Sequence, residues 1–277
     1  MSAQQQHAIG QAAQWIGAAD GLLVTAGAGM GVDSGLPDFR GNEGLWRAYP
    51  ALRSARLAFE SIANPAAFRA NAQLAWGFYG HRLKRYRETQ PHGGFAILQR
   101  WARDPEHGAF VFTSNVDGQF QRAGFDAQSI VEYHGSIHHL QCSIPCCEHI
   151  WPADAFDPQI DAVACRLVSA LPRCPHCGEM ARPNVLMFGD AAWLPERTDA
   201  QLERLQTWLG KVRRPVVIEM GAGTSLPTVR RFSERHGPRV IRINPREPQI
   251  DPAKGVGIQG GAREVLEAID ALRGARV

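Results

Sequence analysis

No stretch of the sequence is apolar for long enough to span a bilayer, and MSAQQQHAIGQAAQWIG at the N-terminus lacks the basic start and continuous apolar run of a secretory signal. These absences argue against a helical membrane protein and make the cytoplasm the expected compartment. Charge of one sign does not dominate either. Thirty basic against 27 acidic side chains leave a formal +3, too little to point to a nucleic-acid partner or a membrane surface. No cysteine falls outside residues 142 to 177, although the chain has six, which disfavours a scattered disulfide scaffold and favours a local metal site. Internal repeats and low-complexity linkers are lacking as well. What remains is 277 residues, enough to bury one large core and a smaller subdomain, the ordinary size of a globular enzyme.

Within that frame the apolar pattern alternates between strand and helix. Residues 3 to 17 have helical spacing, and GLLVTAGAG then reads as a short buried strand running into a glycine-rich turn. NPAAFRANAQLAWGFYGHRLKRYR, from Asn64 to Arg87, is rich in helix formers and aromatics and opens on an Asn-Pro entry turn. GAFVFTSNVD and SIVEYHGS are strands that end in polar residues, and NVLMFGD, PVVIEMGAGTSL and RVIRINP are three further strand-like runs. A final GGAREVLEAIDALRG closes the chain as a helix. This order predicts an α/β fold with a Rossmann-like, doubly wound parallel sheet, into which a smaller helical and zinc-binding module is inserted. The expected division assigns 1–40, 90–139 and 184–277 to the dinucleotide-binding domain, 41–89 to the helical module and 140–183 to the zinc module. Ligands of such sheets sit beyond the carboxyl ends of the strands, which would gather the polar strand-end residues into one cleft.

Gly27, Gly29 and Gly31 permit a tight turn and close backbone approach ahead of a helix N-terminus able to receive a pyrophosphate. Alone this fits many nucleotide binders and also a merely structural turn. The sequence around it is more specific. Gly27-Ala28-Gly29 with Ser34-Gly35-Leu36-Pro37-Asp38-Phe39-Arg40, then Thr113-Ser114-Asn115-Val116-Asp117, then Tyr133-His134-Gly135, resemble in order the signature motifs of the sirtuin (Sir2) family. The resemblance continues through Arg182-Pro183, Phe188-Gly189-Asp190, Gly223-Thr224-Ser225-Leu226 and Ile243-Asn244, so it covers essentially the whole chain.

The resemblance implies an NAD-dependent protein-lysine deacylase that consumes NAD and releases nicotinamide and O-acyl-ADP-ribose. Its partners would be acyl-lysine proteins. Gly27, Ala28 and Gly29 would cradle the diphosphate, with Asp38, Phe39 and Arg40 ordering over the nicotinamide side. Ser114, Asn115 and Asp117 would face the nicotinamide ribose and carboxamide, and Gly223, Thr224 and Ser225 the adenosine side. Asn244 would meet the adenine ribose and Ala262 the adenine. Val185, Phe188 and Gly189 would face the substrate. Catalysis would rest on His134, with Asn115 and Asp117 assisting. The acyl oxygen attacks the anomeric carbon to give an alkylimidate, and His134, an imidazole titrating near neutrality, takes the proton of the ribose hydroxyl that attacks next. Two positions depart from the family: Gly31 stands for its usual serine and Ser114 for its usual glutamine.

Cys174-Pro-His-Cys177 has the spacing of one half of a zinc knuckle, and Cys142 opens the other half. The residues leave open whether the fourth ligand is Cys146 or Cys147. The four-residue spacer of family members implies Cys147, giving Cys142, Cys147, Cys174 and Cys177 around a structural zinc, with Cys165 left over. Four thiolates leave no open position for substrate.

Tyr79 and Arg82 lie three apart, on one helix face, so their tips can converge on a ligand. This resembles the Tyr-x-x-Arg feature of sirtuins that prefer succinyl and malonyl groups, and implies that guanidinium and phenol grip the distal carboxylate. The bland alternative is a core tyrosine beside a solvated Arg82-Lys84-Arg85-Arg87 face. Rival readings of the whole chain are a related enzyme that hydrolyses NAD or transfers ADP-ribose, a silent NAD-sensing module, and a nicotinamide dehydrogenase. Retention of His134 favours deacylation over the first two. Neither the cysteine pairs nor the PDFR loop is required for hydride transfer.

Overall fold

The apolar runs become the strands of a parallel sheet in a computed structural model that describes residues 2–38, 41–54 and 56–274. Ser2 starts α1 (Ala3–Ala18) by accepting from the amide of Gln5, and β1 (Gly21–Ala26) leads into a 3-10 turn over Ala28–Ser34. The helical segment is α2 (Gly41–Ala48), α3 (Pro50–Ser54), α4 (Phe59–Ile62), α5 (Pro65–Ala70) and α6 (Ala72–Glu88). The stretch from Asn64 to Arg87 is thus two helices. Asn71 breaks it, because its side chain accepts from the amide of Leu74 and so caps a new helix. Next come α7 (Gly93–Trp101), β2 (Ala109–Thr113), α8 (Gln119–Arg122) and β3 (Ile130–Glu132). The cysteine-bearing region carries β4 (Gly135–Cys142), β5 (Ile150–Pro152), β6 (Ile160–Asp161), β7 (Arg166–Leu167) and β8 (Ala181–Val185). The chain then runs through α9 (Glu196–Leu209), β9 (Pro215–Met220), α10 (Thr228–His236), β10 (Val240–Ile243), β11 (Gly255–Ile258) and α11 (Ala262–Gly274).

Six strands pair in the order β11-β10-β9-β1-β2-β3, every ladder parallel. Strand order reverses between β1 and β9, paired from Gly21 with Pro215 to Ala26 with Met220. A cleft therefore opens where their carboxyl ends diverge. Both faces of the sheet are covered, which is why β1 is buried at every position. Leu22 and Val24 pack with Ile9, Phe95 and Ile269 on one face, while Leu23 packs with Phe112, Val217 and Leu205 on the other. The edge strand β11 escaped the sequence reading. Its alternate residues are glycines because a Cβ at Gly255 would lie 2.1 Å from the Val240 carbonyl oxygen, and one at Gly257 would lie 2.0 Å from that of Pro248.

The helical segment and the antiparallel sheet β5-β4-β8 share one core rather than filling two. Leu45, Leu52, Phe68, Trp76, Phe78 and Leu83 meet Ile137, Leu140 and Val185 there. NVLMFGD contributes its start to β8, which pairs antiparallel with β4 across an irregularity between Ser136 and Leu140.

Candidate active site and metal centre

The glycines after β1 are required by packing. Gly27 and Gly29 donate their amides to the Met220 and Gly221 carbonyls at 2.9 and 3.0 Å, closing one strand-end loop against the other. A Cβ on Gly29 would lie 2.6 Å from Gly221 Cα, and one on Gly221, itself at φ +60, 2.4 Å from Gly29. The two loops touch backbone to backbone at the switch point, with Ala28 at the first turn of the 3-10 segment.

Asn115 reaches the same loop from the end of β2, its side-chain amide donating to the Gly27 carbonyl at 3.0 Å while its own backbone amide donates to Thr113 Oγ1. Ser114 donates its amide to the Ala26 carbonyl at 3.1 Å. His134 follows β3, half-buried, with its ring beside the Ser114 carbonyl. Burial holds its pKa below the ordinary histidine value, and the carbonyl pulls it partly back. Gly135 must follow, since its φ is +75 and a Cβ there would meet the Asn184 carbonyl oxygen at 2.1 Å. Burial pushes the Asp117 carboxyl up to about 6, against the lowering effect of the Gln119 amide that donates to it at 3.0 Å. His138, which the sequence did not single out, fixes this segment by donating from Nε2 to the Asp117 carbonyl at 2.9 Å. A further histidine four residues past the motif gave no spacing signal by which to find it.

A cavity at the switch point is lined by Gly29, Asp33, Asp38, Ile243, Arg246 and Ala262 among others. Asp33 accepts from the amide of Arg263 at 2.8 Å and so caps the start of α11, beside Ala262. Asn244 is 1% exposed, and its side chain donates to the Ala222 carbonyl while accepting from the amides of Arg246 and Glu247. It shapes the cavity rim rather than lining the cavity. Gly223, Thr224 and Ser225 stand on the loop after β9 but outside this lining, and the Thr224 hydroxyl donates to Glu247 at 2.6 Å. Phe39 and Arg40 lie outside the described residues. At Gly31 an added Cβ would meet Leu36 at 3.2 Å and Asp117 Oδ2 at 3.7 Å, so the family's serine would sit against the Asp117 carboxylate.

The Leu186 amide donates to the His134 carbonyl at 2.9 Å, so the segment from Val185 runs beside the histidine. Gly189 takes φ +63, and the Asp190 carboxylate after it forms a buried bidentate pair with Arg182, both bonds at 2.8 Å. Phe188 meets Phe59 edge-on at 5.9 Å, and Phe59 meets Phe78 at 6.4 Å. Beyond Phe78 stands Arg82, 8% exposed, with its guanidinium 5.1 Å from the Phe78 ring and 5.6 Å from Tyr79. The solvated basic face is therefore not Arg82's setting. Arg85 donates to the Gly35 carbonyl, and Arg87 to those of Ala153 and Phe156. Tyr79 stacks on Phe68 at 5.5 Å and is 1% exposed.

Cys142, Cys146, Cys174 and Cys177 place their sulfurs within 4.8 Å of one another. Cys147, expected as the fourth ligand, is therefore replaced by Cys146. Neighbouring residues of a chain send their side chains different ways, and it is Cys146 that faces Cys174, at 3.7 Å, while Cys147 stands 3.7 Å behind it. The Cys142 to Cys177 distance is 3.6 Å. Four thiolates at about 2.3 Å from a tetrahedral zinc stand roughly 3.8 Å apart, so these residues fit that ion. Cys165 is buried elsewhere, in the shared core with its carbonyl against Gly77.

Fold and site together define a dinucleotide-binding α/β protein with a strand-end histidine and a separate thiolate metal knuckle. A family model described as the Sir2 family matches residues 27–212, and the chain belongs to that family. It is 30% identical over 262 residues to an NAD-dependent protein deacylase of Pyrococcus furiosus, covering 93% of this chain and 95% of that one. It is 33% identical to NAD-dependent protein deacylase 2 of Pyrobaculum aerophilum, covering 88% and 87%. Among solved structures, a Sir2 homolog–NAD complex superposes with a TM-score of 0.69 at 26% identity, covering 97% of this chain and 95% of that one. An ADP-ribose complex of a Sir2 homologue gives 0.70 at 27%, covering 96% and 97%.

Proposed function

We propose that the protein is an NAD-dependent protein-lysine deacylase that accepts acyl groups ending in a carboxylate, such as succinyl and malonyl, alongside acetyl. The observation that carries the acidic-acyl reading is the buried Arg82 guanidinium among aromatic rings, reached from the substrate-side Phe188 through Phe59 and Phe78. A cation in such a site gains strongly from a carboxylate partner. Bound NAD supplies the electrophilic anomeric carbon and the ribose hydroxyl that accepts the acyl group. His134, held neutral by burial, takes the proton of that hydroxyl. Asn115 and Asp117 hold the nicotinamide side, and the loops meeting at Gly29 and Gly221 hold the phosphates. The adenosine end belongs to the cavity bounded by Asp33, Arg246 and Ala262, with Asn244, Gly223, Thr224 and Ser225 framing it. Val185, Phe188 and Gly189 bind the acyl-lysine backbone. Residues 41–89 and 140–183 serve as the helical and zinc modules that close the acyl site, and the four-cysteine zinc holds the latter together without touching substrate.

A peptide panel with NAD tests the reading. Nicotinamide release with acetyl- and succinyl-lysine peptides should give O-acyl-ADP-ribose, and Arg82→Met should abolish succinyl turnover selectively. Free ADP-ribose or ADP-ribosylated protein as the only product would overturn deacylation. Equal loss of every acyl substrate in Arg82→Met would overturn the carboxylate grip.

A further inference from the structure

Arg82 is boxed by its own helix. Phe78, Tyr79 and Tyr86 stand four before, three before and four after it on α6, the spacings that share one face. The guanidinium lies 5.1, 5.6 and 5.5 Å from their ring centres. Tyr86 does more than stack. The Arg82 Nε–H donates to its hydroxyl at 3.0 Å, with both residues buried. Tyr86 also lies within the field of the Asp117 carboxylate, as does Arg82.

This matters because a carboxylate pairs best with an arginine in the plane of its guanidinium. A hydrogen bond at Nε fixes the plane of the guanidinium and directs recognition to the two terminal nitrogens, the geometry that suits a carboxylate.

Resting on the acidic-acyl reading above, we propose that Tyr86 is a positioning residue for acyl selectivity: its hydroxyl fixes the plane of the Arg82 guanidinium in which the acyl carboxylate is met. Tyr86→Phe keeps the ring and removes only the hydroxyl, so the fold should survive, as thermal unfolding would verify. Loss of a buried hydrogen bond to a charged group corresponds to about tenfold or more.

The test compares kcat and KM for succinyl- and acetyl-lysine peptides in the wild type, Tyr86→Phe and Arg82→Met, with NAD affinity measured in parallel. The expected result is that Tyr86→Phe lowers the succinyl-to-acetyl ratio of kcat/KM about tenfold, mainly through the succinyl KM. If Tyr86→Phe leaves the ratio as in the wild type, or depresses both substrates equally, while Arg82→Met still removes succinyl turnover selectively, the positioning role is overturned and the carboxylate grip stands. If Arg82→Met shows no such selectivity, the grip itself falls and the role of Tyr86 with it.

Discussion

His134 stands half-buried at the end of β3 beside the Ser114 carbonyl, in the place this reading gives the general base. Because burial holds its pKa below the ordinary 6.5, the neutral base persists into mildly acid solution. The acid limb of the kcat profile should therefore fall below pH 6.5, and His134→Ala should lower kcat by about 10²- to 10⁴-fold. An acid limb at or above pH 7.5 would contradict the assignment. Asp117 makes a stability prediction of opposite character. Its folded pKa, about 6, exceeds the ordinary carboxyl value of 3.8, so the folded state binds more protons between the two and stability declines as pH rises through that window. Asp117→Asn should thus raise the thermal midpoint at pH 7, by the equivalent of more than about 1 kcal/mol. The gain should fade as pH drops below 6 and vanish below about pH 3.8, and calorimetry across that range would show it. Both residues were legible in the sequence because each sits at the polar end of an apolar run. Tyr86 was not: aromatic residues at helical spacing read first as core, and the hydrogen bond that distinguishes it depends on the rotamer of Arg82.

At the scale of elements, the knuckle joins β4 to the turn before β8, pulling together Cys142 at the end of one strand and the Cys174–Cys177 turn near the start of the other. Cys146→Ser should lower the zinc content of the purified protein and its thermal midpoint, whereas Cys147→Ser should retain about one zinc per chain, both by metal analysis. The converse pattern would restore the ligand set the sequence implied. Two cysteine pairs were enough to show that a metal site exists. Choosing between Cys146 and Cys147 required side-chain direction in an irregular loop, which no periodicity encodes. The same limit explains β11, where Gly255 and Gly257 mask a strand by supplying none of the branched side chains that announce one. By contrast β1 and β9, covered on both faces and almost wholly apolar, were plain in the sequence.

For the whole molecule, everything that holds NAD in this reading depends on two loops meeting across the reversal of strand order. Gly221→Ala would force a left-handed backbone on a residue with a Cβ and press that Cβ to 2.4 Å from Gly29. The strain alone costs about 1–2 kcal/mol, so the variant should unfold at lower denaturant and bind NAD at least tenfold more weakly by calorimetry. Wild-type NAD affinity in a stable Gly221→Ala protein would show that the loops need not touch. The sheet order itself was not legible, since strand sequences carry no record of their neighbours. Only the alternation of strand and helix, which limits the choice to doubly wound sheets, could be read in advance.

That sheet order also sets a schedule for synthesis. β1 emerges from the ribosome well before one of its two neighbours, β9, which begins only at Pro215. The metal knuckle, by contrast, closes within residues 142 to 177. A growing chain thus has its zinc ligands in hand while the central strand still waits with one edge unpaired, an interval in which that apolar edge is open to wrong partners.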